Sequence, residues 1–276
     1  MTEKERAALE RAIAVMRRDI LELCHRAGGV GAHLGGCLSL VELLAVLYTR
    51  HLRFDKNNPL DENRDRFVLS KGHGGIAQYA AMHAAGILTD GQIAQPLLGE
   101  DTILFKHPRR NAEKGIEFSG GSLGQGLPFA VGEAIALNMR GNAVSRVYAL
   151  VGDGELNEGS MWEALSIAGH RKLNTLTVIV DRNGLQLDGF TKDIQSAENL
   201  AERFAALGFD ALEIDGHDPE AIDAALSARP TKPFAILART VKGRGVSFAE
   251  NNADWHANVL TDELYERAGR ELGVDA

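Results

Sequence analysis

Cysteine is scarce in this 276-residue chain: only Cys24 and Cys37 occur, and their spacing is not that of a metal site. Two such thiols make no disulfide framework and read as reduced and buried, as in a cytosolic protein. Long apolar runs are absent too. The best stretch, Leu38 to Tyr48, is interrupted by Glu42 and is too short to span a bilayer. The charged start, Met1-Thr-Glu-Lys-Glu-Arg6, leads into a helical pattern with no secretory leader in view. Basic residues are outnumbered, 30 Lys and Arg against 38 Asp and Glu, for a net charge of −8. That balance argues against nucleic acid as the partner, yet leaves room for a local basic pocket. Nor is there a repeat, a low-complexity tract or a Pro-, Gly- or Ser-rich linker to divide the chain. Residues 1–276 therefore read as one domain, with the 45% hydrophobic and 25% charged composition of an ordinary globular protein.

What is present is an alternation of helix and strand patterns. Residues 4–26 carry Leu9, Ile13, Met16, Ile20 and Leu23 on one helical face. A Gly-rich turn from Gly28 to Gly36 follows, and Ser39 is placed to cap a second helix running to about Arg50. Residues 66–69 read as a short buried strand ending at Ser70-Lys-Gly-His73, with a small-residue helix over about 75–85. The stretch 86–117 looks irregular. Further strands are expected at 146–151, 175–181, 211–215 and 234–238, and helices from Gly126 and over about 160–171, 197–207 and 219–228, with one last helix before the end. That order predicts an α/β fold: a doubly wound, mostly parallel sheet with helices on both faces.

Two of these strands end on residues suited to a metal and a diphosphate. Gly152-Asp-Gly154 closes one and Asn183-Gly-Leu185 closes the next. Asp153 and Asn183 offer hard oxygen ligands for Mg²⁺, the Leu185 carbonyl a third, and Gly152 and Gly154 let backbone approach a phosphate closely. Gly-Asp-Gly by itself is usually just a turn. The second motif at this spacing makes it a site.

The blocks around these motifs resemble transketolase, in the family's order and over most of the chain. Gly152 to Gly159 resembles the diphosphate and metal loop, and Asp181-Arg-Asn-Gly-Leu185 the second metal turn. Ala32 to Ser39, Ser70-Lys-Gly-His73 and Lys106-His107-Pro108 resemble three active-site histidine loops, and the segment from Lys242 to His256 one carrying a fourth. Gly120 to Gly126 is similar to the loop that touches the cofactor's aminopyrimidine. The resemblance implies thiamine diphosphate as cofactor, with Mg²⁺, or Ca²⁺ or Mn²⁺ as substitutes, and transfer of a two-carbon ketol group between sugars or sugar phosphates. It implies that His73 and His256 contact diphosphate and reacting oxygens, that His33 and His107 bind donor hydroxyls, and that Gly121, Ser122 and Leu123 lie near the cofactor rings. Imidazole suits this proton traffic because its pKa of about 6.5 lies near the working pH. Glu158 matches an acid at the family's subunit contact that links two sites through protons; the plainer reading is a carboxylate at a helix N-terminus. Glu155 is given no role, and His25, His51, His83, His170 and His217 fall outside the matching loops as surface or packing residues. The Gly28-Gly-Val-Gly31 approach to His33 looks longer than usual in the family, and Arg109 and Arg110 follow His107-Pro108 within reach of an anionic substrate, though paired exposed arginines more often do nothing specific.

The resemblance covers only the family's diphosphate-binding domain. The expectation is an N-terminal subunit of a split transketolase, whose separate C-terminal subunit supplies the activating glutamate, in an α2β2 assembly in the cytoplasm. The alternatives are half of another thiamine diphosphate enzyme, deoxyxylulose-phosphate synthase-like or a 2-oxoacid dehydrogenase α subunit, or a non-catalytic thiamine diphosphate-binding subunit.

Overall fold

The first helix follows from its cap and its spacing. The Thr2 hydroxyl accepts from Glu5 N while the Glu5 carboxylate accepts from Thr2 N, a reciprocal cap, and α1 (Glu3–Arg26) then buries Leu9, Ala12, Met16, Ile20 and Leu23. In this computed structural model, which describes residues 1–99, 101–196 and 198–274, the chain runs on through α2 (Leu34–Leu38), α3 (Val41–Val46), β1 (Arg66–Leu69), α4 (Gly75–Ala84), α5 (Asp90–Ile93) and α6 (Gly126–Met139). Then come β2 (Val147–Gly152), α7 (Gly159–His170), β3 (Leu176–Arg182), a small hairpin of β4 (Leu185–Gln186) and β5 (Gly189–Phe190), and α8 (Thr191–Ile194). The remainder is α9 (Leu200–Ala206), β6 (Asp210–Asp215), α10 (Pro219–Leu226), β7 (Phe234–Arg239) and α11 (Asp262–Leu272).

Five strands form one parallel sheet in the order β1-β2-β3-β7-β6. The chain steps from β1 to β3, crosses to the edge as β6, and returns as β7 between them. The central strands are buried on both faces, which is why they read as continuous apolar runs. Their alternate residues serve two layers. Phe67, Leu69, Tyr148, Leu150, Ile179 and Ile236 face a core shared with α1, α3, α4 and α10. Val68, Val147, Ala149, Val178, Val180 and Leu237 face another, under α6, α7 and α9. The expected doubly wound parallel sheet is what the chain forms, with strand limits within a residue of those read from the pattern.

Two local expectations fail. Ser39 does not cap a helix: the N-cap of α3 is Leu40, without a side-chain bond, and the helix ends in a π turn at Leu47–His51. The Ser39 hydroxyl lies instead 2.9 Å from Asp181 Oδ2 and 3.1 Å from the Gly36 carbonyl, both buried. A long-range carboxylate outcompetes the local backbone for its one proton. The stretch expected to be irregular holds α5, which starts on a Thr89–Gln92 capping box. The helix expected from Ala197 is seen as α9; Ala197 itself lies outside the described residues.

Candidate active site

Because the sheet is parallel, β1, β2, β3 and β7 all deliver their carboxyl ends to one edge, where open α/β sheets bind ligands. Ser70 to His73 follows β1, Asp153 and Gly154 follow β2, Asn183 follows β3, and Thr240 to Lys242 follow β7. Between them lies a cleft open to solvent. His33, Lys71, His73, Asp153, Lys242 and His256 are among its walls.

The expected metal ligands meet there. Asp153 is 3% exposed. Its Oδ2 accepts from Gly184 N at 2.7 Å and its Oδ1 from Gly154 N at 2.9 Å, which ties the two turns together. Burial, and then the neighbouring Asp181, push its carboxyl up to about 6. That is the mark of a carboxylate whose surroundings want a cation. Asn183 presents Oδ1 to Leu185 N at 3.1 Å and donates from Nδ2 to Asp181 Oδ2 at 2.9 Å. Asp153, Asn183 Oδ1 and the Leu185 carbonyl are hard oxygens, the donor set that suits Mg²⁺ or Ca²⁺. Two buried ammonium groups, Lys71 and Lys242, line the same cleft and fit an anionic group beside the cation. Burial and the Lys71 charge lower Lys242 to about 8.

Two buried acids hold these loops in place. Asp181, fully buried, accepts from Lys71 Nζ, Thr240 Oγ1, Ser39 and Asn183. Burial alone would raise its carboxyl, but Lys71 and the hydroxyl donors bring it below the ordinary range. Glu155 accepts from Ser70 Oγ at 2.7 Å, Gly124 N at 3.0 Å and Gly152 N at 3.2 Å. One carboxylate thus joins the β1 end, the glycine loop before α6 and the β2 end. Glu155, to which the sequence assigned no role, therefore has a structural one. Lys71, Lys242 and Asp181 were likewise missed as functional residues. The available signal was a charged residue directly after an apolar strand: it must either end in solvent or find a buried partner.

Three of the nine histidines, His33, His73 and His256, line the cleft, and His107 packs against His33 and His73 beside it. The His33 ring centre lies 4.7 Å from that of His73, 5.3 Å from His107 and 5.5 Å from His256, and His73 lies 4.9 Å from His107 and 5.2 Å from His256. Ring nitrogens of His33, His73 and His256 fall within 4.8 Å of one another. Burial and mutual repulsion lower His33 to about 2, and burial with His107 lowers His73 to about 3. Burial and Lys242 lower His256 to about 4. Burial and Lys106 lower His107 as well. At neutral pH all four are uncharged, so each offers one N–H donor and one acceptor nitrogen. Lys242 Nζ lies 3.2 Å from His256 Nδ1, and His107 Nε2 is buried with no protein partner among the described residues.

Close backbone contacts bring the histidine loops together. A Cβ on Gly35 would stand 2.8 Å from the Trp255 carbonyl oxygen, so only glycine lets the His33 helix meet the His256 segment. Ala32 and Asn258 also exchange backbone bonds of 2.9 and 3.1 Å; the long glycine turn before His33 is thereby pinned. A Cβ on Gly72 would stand 2.6 Å from Gly121 N, so the His73 loop touches the glycine loop directly.

Of the ring-contact residues expected, Leu123 lines the cleft, while Gly121 and Ser122 sit beside it, Gly121 next to His107. Glu158 does not line the cleft. It is exposed, at the N-cap of α7, and makes no capping bond there. Four of the other five histidines hydrogen-bond to carboxylates away from the cleft: His25 to Asp262, His51 to Asp223, His83 to Asp19, His217 to Glu42. Both cysteines are free and buried.

Comparison with known proteins points one way. Residues 8–276 match the family described as "Transketolase, thiamine diphosphate binding domain". The chain is 41% identical over 247 residues to the 6-deoxy-6-sulfo-D-fructose transketolase subunit of Clostridium sp. (strain MSTE9), covering 88% of this chain and 89% of that subunit. It is 39% identical over 266 residues to an apulose-4-phosphate transketolase subunit of Actinobacillus succinogenes, covering 96% of this chain and 95% of that one. The crystal structure of transketolase from Campylobacter jejuni superposes with a TM-score of 0.87 at 30% identity; it matches 100% of this chain, which spans 44% of that one.

Proposed function

This chain belongs to the transketolase family, in its thiamine diphosphate-binding domain, and we propose that it works as a single such domain, the N-terminal subunit of a two-chain transketolase of the cytoplasm. The observation that carries the reading is a cluster of four imidazoles, three of which line the cleft that Asp153 and Asn183 also line. Asp153, Asn183 and the Leu185 carbonyl would hold a divalent ion, with Mg²⁺ the first choice by donor hardness and Ca²⁺ or Mn²⁺ as substitutes. Gly152, Gly154, His73, His256 and the two lysines would hold the diphosphate, and Gly121, Ser122 and Leu123 would flank the rings. When bound, thiamine diphosphate supplies the carbon nucleophile that carries the two-carbon unit.

This chain's own contribution is binding and proton transfer. His33 and His107 donate to and accept from the donor sugar's hydroxyls. Neutral imidazole offers a free nitrogen to accept a hydroxyl proton and an N–H to donate one. His73 and His256 do the same at the oxygens nearest the diphosphate.

Relatives named as subunits imply a partner subunit for this chain. Glu155 is the one glutamate among the described residues lining the cleft, and its oxygens are taken by Ser70, Gly124 and Gly152. This supports a partner that brings the activating glutamate. Exposed Glu158 fits a place at a contact between two such pairs in an α2β2 assembly. Ketol transfer from xylulose 5-phosphate to ribose 5-phosphate with Mg²⁺ and thiamine diphosphate tests the reading, on this chain alone and mixed with its partner. Activity is expected only in the mixture; equal activity of the isolated chain would sink the two-chain reading.

A further inference from the structure

His217 and Glu42 lie outside the cleft, yet their hydrogen bonds lead to it. Glu42, on α3, is 5% exposed, a depth at which a carboxylate needs partners. Arg17 Nη2 donates to its Oε1 at 2.7 Å, and His217 Nδ1 lies 2.8 Å from its Oε2. Burial would raise the Glu42 carboxyl, but His217 and Arg17 bring it below the ordinary range. The other nitrogen of the same ring, His217 Nε2, lies 2.8 Å from Val241 N. A backbone N–H can only donate, so Nε2 carries the lone pair and Nδ1 the proton. Glu42 thus fixes the tautomer that leaves an acceptor aimed at Val241.

Val241 follows β7 and precedes Lys242, one of the two buried cations of the cleft. The strand pairing of β7 ends at Arg239, so the Val241 N–H, past the sheet, is met by a side chain instead. Among the described residues Lys242 Nζ bonds to His256 Nδ1 and to no carboxylate. Its place is therefore set by the backbone around it: Val241 N on His217, and Gly243 N on the Gly35 carbonyl at 2.9 Å. The turn that bears His217, between β6 and α10, is pressed against this segment. Gly216 N donates to the Arg239 carbonyl at 2.7 Å, and a Cβ on Gly216 would stand 2.5 Å from Thr240 Cγ2. His217 N in turn donates to Asp215 Oδ1 at 2.8 Å, which fixes the start of the turn.

Resting on the reading of Lys242 as a diphosphate-holding cation, we infer that His217 is a positioning residue for cofactor binding: backed by Glu42, it holds the Val241 N–H and so sets where the Lys242 ammonium stands in the cleft. An imidazole bonded only to an acid would serve stability alone. One whose second nitrogen receives the N–H beside Lys242 serves the site as well.

The test uses the assembled two-chain enzyme and two substitutions that each keep half of the imidazole's bonding. In His217→Asn the amide nitrogen stands near the place of Nδ1 and keeps Glu42, but Val241 loses its acceptor. In His217→Gln the amide oxygen reaches the place of Nε2 and keeps Val241, but Glu42 loses a donor. Calorimetric titration with Mg²⁺ and thiamine diphosphate should give a dissociation constant roughly 10-fold higher for H217N, from one backbone donor left without its acceptor, and a nearly wild-type value for H217Q. Both variants give up one bond of the ring, so a purely structural role would weaken cofactor binding alike in both. In a K242M background H217N should cost no further affinity, since its effect passes through Lys242. Equal affinities for H217N and H217Q, or a full H217N effect in K242M, overturn the inference. If the wild-type pair binds no thiamine diphosphate, the cofactor reading fails, and amide exchange over residues 240–243 decides the positioning. Faster exchange in H217N than in H217Q sustains the hold on the Lys242 backbone; equal rates overturn it.

Discussion

Replacing Lys71 with Met tests how the site is held together. Asp181 is completely buried, and among the described residues Lys71 is the one cation bonded to it; its other donors there are the neutral groups of Ser39, Thr240 and Asn183. Met keeps most of the aliphatic stem and removes the charge. Breaking a buried pair from one side costs about 3–5 kcal/mol, because the remaining charge stays buried without its counter-ion. The three neutral donors remain, so the lower end, about 3 kcal/mol, is expected. For a chain of this size that lowers Tm by roughly 6–12 °C. The pH dependence has a definite sign. The Asp181 carboxyl is held below its ordinary range in the wild type, so its contribution is full above the unfolded carboxyl pKa and is lost as pH falls through the folded value. The gap between wild type and K71M is therefore widest at neutral pH and narrows in acid, once the variant's Asp181 takes up a proton. Removing the stranded charge as well, in K71M/D181N, should recover most of the loss. Urea and thermal unfolding followed by circular dichroism measures all three proteins. A K71M protein within about 1 kcal/mol of wild type at neutral pH, the worth of an exposed pair, or a double variant no better than K71M, would refute the argument.

Other expectations follow from the same geometry. Asp153→Ala should abolish the thermal stabilisation that Mg²⁺ with thiamine diphosphate gives the assembled enzyme, since ligand stabilisation scales with affinity for the folded state; an unchanged ligand-induced Tm shift would remove Asp153 from the metal site. The depressed imidazoles of His33, His73 and His256 take up protons more readily in the unfolded chain, so stability should fall as pH drops below about 6.5 and keep falling toward the folded values. Replacing those three with Gln should flatten that slope; a slope unchanged in the triple variant would place its origin elsewhere. Gly169→Ala puts a Cβ 1.6 Å from the Leu207 carbonyl oxygen, where α7 meets the turn after α9. Backbone cannot rotate away as a side chain can, so a loss at the upper end of overpacking costs, about 3 kcal/mol, is expected, and a wild-type unfolding midpoint would show that the turn simply moves.

Much of the fold was legible because it is local. Apolar strands such as Val147–Gly152 and Leu176–Arg182 stand out by composition, and their alternation with helices dictates a parallel sheet with covered faces. The parallel sheet then places Asp153 and Asn183 side by side, since both follow strand ends that are neighbours in register. The order of the strands was not legible. That β7 lies between β3 and β6 depends on how α9 and α10 pack, and their patterns fit either neighbour. Ser39 shows the limit most plainly: its position before a helix favoured a cap, and a carboxylate from the third strand took the hydroxyl instead.

The amino-acid order by itself determined the parallel α/β architecture, the two turns that carry Asp153 and Asn183, and the histidine-bearing loops, because each is a pattern within a few residues of chain. Only the tertiary structure showed that the rings of those four histidines meet, and that Glu155, Lys71 and Asp181 hold the loops beneath them. Those roles come from bonds spanning 85, 110 and 142 residues, Ser70 to Glu155, Lys71 to Asp181 and Ser39 to Asp181. A polar side chain acquires such a role when folding removes its water and leaves one distant partner to replace it.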